Sequence, residues 1–386
     1  MKFNIDCRYY VGEKPCKYNR LCDECPHYDK FGTKILIIKL GAMGDVIRTT
    51  PVLPLIAMQY QKRHITWCVD PESALFLQGN PYIDRVIPFG VESSLRLMVE
   101  QFDIVYCFDK EIRATALAAI VGADRKIGFG LDRSGNIYPF NASAEYSLAL
   151  GMSDQLKFYE NNKTYQRELL DTAGFADSPY GEYIIPSDNF ELDYGVRFIE
   201  RYNILKRSLI VGINTGAGER FATKRYDEAH FVSLIKRIVE TMDATVFLLG
   251  GPSETERNRR IMRLTAGLTH VVDTGCNNTL RQFVGLLNVC DVVVTGDTLA
   301  LHLAIAVKTR VVALFGSTCH QEIDLYGLGE KLAANAECAP CYKRECPLSG
   351  GKYMQCMKQI SPQAILEAVQ RQVKFCIKDT SADVTD

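Results

Sequence analysis

In KLGAMGDVIRTTP, residues 39–51, Gly41 and Gly44 bracket a turn that ends an apolar run, and Asp45 then opens a helical stretch. A glycine turn at that place commonly holds a phosphate, which a carboxylate would repel. Capping the helix is one use for Asp45, and proton chemistry is another. The second half of the chain carries four further clusters. In GINTGAGERFATKRY a strand ends at Asn214; Thr215 and Gly216 then offer unobstructed backbone N–H groups, with Lys224 and Arg225 behind them. Glycine turns and a cation suit a diphosphate, as they also suit a tight turn followed by a solvated basic pair. In LLGGPSETER, Glu254 is placed to serve a helix start or to accept two ribose hydroxyls. In NNTLRQ, Asn278 and Thr279 open a helix, Thr279 as its cap. VVVTGDTLALHLA delivers Gly296, Asp297 and Thr298 to a helix N-terminus, where N–H groups and the Thr298 hydroxyl suit phosphate oxygens and Asp297 suits sugar hydroxyls. N-capping by Asp297 is the alternative, and His302 lies one turn on from Thr298, on the same helical face.

Cysteine supplies a second kind of chemistry. CAPCYKRECPLSGGKYMQC spaces Cys338, Cys341, Cys346 and Cys356 as C-x2-C-x4-C-x9-C, which fits an all-thiolate site for zinc or iron. CRYYVGEKPCKYNRLCDEC spaces Cys7, Cys16, Cys22 and Cys25 as C-x8-C-x5-C-x2-C, a second metal site for zinc or an iron–sulfur group. Cys68, Cys107, Cys276, Cys290 and Cys376 lie in or beside apolar segments and read as small buried hydrophobes.

These residues need elements to position them. Short, continuously apolar runs at 34–40, 65–70, 83–89 and 103–109 read as buried parallel strands, with a helix over 111–123. After a polar interval at 172–195 the pattern restarts, with strands at 208–214, 244–251, 270–275, 291–297 and 310–316 alternating with helices. The expected organisation is a Cys-rich segment (1–30), a first Rossmann-like α/β domain (31–190), a second (205–335), a four-cysteine finger (336–358) and a terminal helix (361–378). The two doubly wound domains are expected to face each other across a cleft.

With 45 basic and 46 acidic groups the chain has no bulk charge to attract nucleic acid or an anionic membrane. No run reaches the roughly 18 apolar residues of a membrane span, and the N-terminus lacks a signal-peptide core, so a cytoplasmic protein is expected. In a reducing compartment the two clusters among the 14 cysteines point to metal rather than disulfides.

IIKLGAMGDVIRTTPVLPLI, NTGAG with TKRY, LLGGPSETE and VTGDTLALHLA, in this order and spacing, resemble glycosyltransferase family 9, the ADP-heptose heptosyltransferases. The resemblance covers roughly residues 33–376. It implies a GT-B fold, with donor on the second domain, acceptor on the first, and inverting transfer. By that resemblance Asp45 is the general base and Lys224 meets the donor diphosphate, with Thr215 and Gly216 beside it. Glu254 meets the ribose and Asn278 the adenine, while Gly296, Asp297, Thr298 and His302 hold donor sugar and phosphate. Gly44 falls to the acceptor. From the residues themselves Arg48, three positions from Asp45, is the foremost of a set of cations, with Arg113, Lys126, Arg133, Lys163 and Arg167, that suits a basic rim for an acidic or phosphorylated acceptor. Solvated surface charge is the alternative for most of them. The implied partners are a nucleotide-sugar and a glycan or lipid-linked glycan such as lipopolysaccharide core, with peripheral contact at the inner membrane surface. Leu299 replaces the family's usual glycine, and Tyr226 its tryptophan. No D-x-D occurs in the chain, so no cofactor is expected for catalysis. Other classes are a Rossmann-type oxidoreductase with an iron–sulfur appendage, which lacks any G-x-G-x-x-G here, and a non-catalytic nucleotide-binding protein.

Overall fold

The computed structural model describes residues 1–204, 208–218 and 221–382, with side chains to residue 376. The start expected for the second domain, residue 205, lies outside the described residues. The chain forms two units, one of Met1–Lys157 with Gln166–Gly181, the other of Phe158–Tyr165 with the chain from Glu182 onward. Residues 158–165 and 182–190, placed in the first domain by the sequence, thus cluster with the second.

In the first unit, strands β1 (Thr33–Ile38), β2 (Arg63–Val69), β3 (Arg85–Pro88), β4 (Gln101–Cys107), β5 (Gly122–Leu131) and β6 (Ile137–Pro139) form one sheet. Its order is β3-β2-β1-β4-β5-β6, parallel except for β6. Ile35, Leu36, Ile37 and Ile38 are fully buried, as a sheet covered on both faces requires. The helix expected over 111–123 spans Ile112–Ile120, because Gly122 already begins β5. At Gly128, with φ +94°, a Cβ would meet the Cys107 carbonyl oxygen at 2.0 Å, so β5 can run against β4 there only as glycine.

The second unit repeats the plan with β7 (Leu209–Asn214), β8 (Ala244–Leu249), β9 (Val271–Asp273), β10 (Val292–Gly296), β11 (Arg310–Phe315) and β12 (Gly329–Ala333). The order β12-β11-β10-β7-β8-β9 is parallel throughout. This is the doubly wound order, whose crossover reverses between β7 and β10, as the first sheet's does between β1 and β4. The terminal helix Pro362–Ala382 returns to this unit, where Ile365, Leu366 and Val369 join the core beside Phe231, Leu234 and Val312. Cys68, Cys107, Cys276 and Cys290 are buried as expected, whereas Cys376 is only half-buried.

Candidate functional site

Open α/β sheets bind ligands beyond the carboxyl ends of their strands, at the point where the winding reverses. In the first unit that point lies between β1 and β4. Lys39, one residue past β1, forms a buried ion pair with Asp109, two residues past β4. The other Asp109 oxygen accepts the Leu40 N–H at 2.6 Å, and the Trp67 indole N–H donates to the Lys39 carbonyl at 3.2 Å. These bonds fix the start of the glycine turn, and removing one partner of such a pair alone costs about 3–5 kcal/mol. Asp70, just past β2, takes both Arg113 nitrogens, at 2.9 and 3.0 Å.

Asp45 stands in the first turn of the helix Met43–Thr49, whose N-cap is Ala42 with no side-chain cap bond. Asp45 is therefore not the cap. Its carboxylate accepts from Arg48 Nε at 2.9 Å and keeps 35% of its surface exposed, oriented by a cation and open to solvent. Gly44 is half-buried in the same turn. Of the other cations considered for an acceptor rim, Arg167 is spent on Asp171 and on the Phe175 and Ser178 carbonyls, and Lys126 on the Ala119 carbonyl. Burial lowers the Lys126 pKa.

In the second unit the switch point lies between β7 and β10, and it gathers part of the expected set. Lys224 Nζ meets Asp297 Oδ2 at 2.8 Å and the Asp297 carbonyl at 3.1 Å. Asn214, the last residue of β7, donates to Thr295 Oγ1 at 3.0 Å and to Thr298 Oγ1 at 3.3 Å. Thr298, not Asp297, is the N-cap residue of the helix Leu299–Ala306, and its hydroxyl makes no cap bond. Held by Asn214 and Thr295, that hydroxyl leaves the helix's first N–H groups without side-chain capping. At Gly296 a Cβ would stand 3.2 Å from the Lys224 carbonyl, so a bare strand end lets the lysine loop close in.

Gly216 has a specific reason to be glycine, since its Cβ would fall 2.5 Å from Glu254 Cδ. Glu254 is buried, and its Oε2 accepts the Gly251 N–H at 3.0 Å, the helix-start role. Thr215 turns inward to Asn258 at 2.6 Å. The Asn278 amide donates to the Thr274 and Gly275 carbonyls and accepts from the Tyr194 hydroxyl. Thr279 forms the expected cap, in a reciprocal pair with Gln282. His302 is buried and bonds through Nδ1 to the Tyr183 hydroxyl at 3.1 Å. The sequence reading missed Lys39, Asp70, Asp109 and Arg257. Arg257 braces the lysine loop by donating to the Thr215 and Tyr226 carbonyls, and burial lowers its pKa. A signal existed for two of the four, because the runs ITWCVD and DIVYCFD each end on an acid at a strand's carboxyl end.

The finger docks beside this site. Thr223, next to Lys224, donates to the Lys343 carbonyl at 2.5 Å, and the Cys341 and Tyr342 N–H groups bond to the Ser317 carbonyl past β11. Met354 N–H reaches Cys346 Sγ at 3.4 Å and Gln355 Nε2 reaches Cys338 Sγ at 3.5 Å. Burial first, then the neighbouring Cys338, Cys341 and Cys346, push the Cys356 thiol up to about 11. Among the described residues, no three His, Cys, Asp or Glu side chains stand together so as to hold one metal ion.

Two doubly wound α/β units, each built on a largely parallel sheet, are the fold of the GT-B class. The sequence model of glycosyltransferase family 9 (heptosyltransferase) matches residues 94–352, and the chain belongs to that family. It is 26% identical over 189 residues to lipooligosaccharide heptosyltransferase 2 of Campylobacter jejuni, covering 48% of this chain and 58% of that one. The chain thus spans little more than half the length of that relative. It is 25% identical over 338 residues to lipopolysaccharide heptosyltransferase 1 of Pseudomonas aeruginosa, 81% of this chain and 87% of the other. Its fold matches the family 9 glycosyl transferase of Veillonella parvula, with TM-score 0.69 at 16% identity over 89% of this chain and 98% of that one. It also matches ADP-heptose lps heptosyltransferase II of E. coli, with TM-score 0.63 at 17% identity over 88% and 98%. The iron-containing dodecameric glycosyltransferase TibC of enterotoxigenic E. coli follows, with TM-score 0.53 at 12% identity over 90% and 77%.

Proposed function

We propose that this chain is an inverting glycosyltransferase that moves a heptosyl group from ADP-heptose to a glycan acceptor such as lipopolysaccharide core. One observation carries the reading: the Lys224 ammonium, held by Asp297 at 2.8 Å, lies at the second sheet's switch point, where the helix Leu299–Ala306 begins without a side-chain cap. Both features favour a diphosphate. Asp45 takes the proton of an acceptor hydroxyl as its oxygen bonds to C1. The C1–O bond to the diphosphate breaks on the opposite face, and C1 inverts. The departing ADP carries away the electron pair, its charge met by Lys224 and the helix N–H groups. Glu254 and Asn278 are proposed to meet the nucleoside, with Gly216 admitting it close to the backbone. His302 backs the donor pocket, and Gly44 and Arg48 face the acceptor. Catalysis on this reading needs no metal, in keeping with a sequence free of D-x-D.

Relatives that act on lipooligosaccharide and lipopolysaccharide support a lipid-linked acceptor, and hence peripheral contact with the cytoplasmic face of the inner membrane. Among the described residues no helix is long and apolar enough to cross a membrane. A panel of nucleotide-sugars tests the donor. ADP-heptose at 100 times its Kd stabilises the folded state by about 2.7 kcal/mol, whereas a UDP- or GDP-sugar gives no shift. A response confined to another nucleotide would remove ADP-heptose as donor.

We also propose that Cys338, Cys341, Cys346 and Cys356 hold a structural zinc or iron ion. The donor set is all thiolate and closely spaced in the sequence, and two N–H groups already point at the Cys346 and Cys338 sulfurs. Since Thr223 is tied to Lys343 in this finger, the metal would steady the loop that carries Lys224. Metal analysis should find one ion per finger, lost in Cys341→Ser; an unchanged metal content in that variant rejects the assignment.

A further inference from the structure

The first 30 residues take no part in the chemistry above, and their structure asks for its own explanation. They contain no helix and no strand beyond one bridge between Cys7 and Lys30, and only Asn4 and Cys7 are buried. So little burial cannot offset the conformational entropy of an ordered segment this long. All four cysteines are free thiols, so no disulfide closes it.

The thiols are nonetheless arranged. Each of the four opens a tight turn: Tyr10 N–H donates to the Cys7 carbonyl, Asn19 to Cys16, Cys25 to Cys22 and Tyr28 to Cys25, at 2.8–3.3 Å. Asn19 and Glu24 take positive φ within or at the end of these turns. Turns of this kind form concavities of backbone N–H groups, which favour negative charge. All four cysteines line a single cavity of about 420 Å³, walled by Phe3, Tyr9 and other largely apolar groups. Lys17 stands 4.1 Å from the Tyr9 ring and 4.9 Å from that of Tyr18, both of which line the cavity.

The size of this cavity discriminates between ligands. Four thiolates around one ion, each roughly 2.3 Å from it, stand about 3.8 Å apart and enclose no cavity. Here all four cysteines line one compartment of about 420 Å³, far more than a single ion fills. We propose that Cys7, Cys16, Cys22 and Cys25 ligate an iron–sulfur cluster, a polynuclear group that takes four cysteine thiolates at wider separation. The apolar wall shields it, and the turn N–H groups with Lys17 offset its negative charge. The cluster is the staple of this segment, independent of the finger and of the glycosyl-transfer reading.

The full chain, purified without oxygen and reconstituted with ferrous iron and sulfide, should carry acid-labile sulfide and a broad visible absorption that bleaches with dithionite. Cys22→Ser/Cys25→Ser should abolish both, whereas Cys338→Ser/Cys341→Ser should retain them, because a single finger ion needs no sulfide. Alkylation of the unsubstituted chain keeps the test sound if the first variant misfolds: the four N-terminal thiols should be protected until the cluster is removed. Absent labile sulfide after reconstitution overturns the proposal. So do sulfide that survives Cys22→Ser/Cys25→Ser, a zinc or iron ion on these thiols without sulfide, or thiols that alkylate equally with and without the group.

Discussion

Asp45→Asn is expected to lower kcat by about 10²–10⁴-fold, the usual share of a general base, and to leave donor binding unchanged. Asparagine keeps an oxygen for Arg48 Nε, now 2.9 Å from the carboxylate, and the helix Met43–Thr49 loses no cap because its N-cap is Ala42. Its stability is therefore expected to stay close to that of the parent, and a loss of turnover reports on proton transfer. Steady-state kinetics with ADP-heptose and an acceptor glycan, beside a donor-induced melting shift, separate the two effects. Retention of full turnover would falsify the base assignment. Arg48→Lys is the informative companion. Lysine keeps the charge but cannot present Nε with a guanidinium's fixed geometry, so it should disturb the orientation of Asp45 without removing the base.

How far the sequence foretold this arrangement depended on whether a residue's neighbours in space are also its neighbours in the chain. The strands β7, β8, β10 and β11 were legible because each is a continuous apolar run closed by a glycine or polar turn. The edge strand β12, GEKLA, was not, since an edge carries polar residues. The first half of β5, half-buried to exposed in GADRK, was hidden for the same reason, and three-residue β6 gave no periodicity to read. Within the site, motifs announced Lys224 and Asp297 but not their contact, which joins residues 73 positions apart. Helical spacing put Thr298 and His302 on one face, yet Asn214 draws the first toward the strand ends while Tyr183 engages the second. Capping preference offered a cap as the alternative role for Asp45 and Asp297, but Ala42 and Thr298 occupy those positions. Asp109 ends an apolar run at a strand's carboxyl end, but the sequence says nothing of its partner, Lys39, just past β1.

Lys224→Met is expected to reduce kcat/KM by about 10²–10³-fold, comparable with removal of one oxyanion donor, and to weaken binding of ADP as well as ADP-heptose. Methionine keeps most of the apolar stem beside Phe221, whose ring lies 5.3 Å from Nζ, so the loop retains its packing while the charge goes. The free protein pairs that ammonium with Asp297, two groups largely shielded from water, and a lone carboxylate left there would oppose the donor's phosphates. The double variant Lys224→Met/Asp297→Asn therefore discriminates between two roles for the lysine. Should Lys224 act mainly by neutralising Asp297, the double variant recovers donor affinity toward that of the parent. Should it act on the diphosphate directly, affinity stays low in both. The second outcome is expected, because the uncapped N–H groups of the helix Leu299–Ala306 supply only partial positive charge to a leaving group whose full charge develops as the C1–O bond breaks. Calorimetric titration with ADP measures the difference directly, and full recovery in the double variant would remove Lys224 from contact with the leaving group.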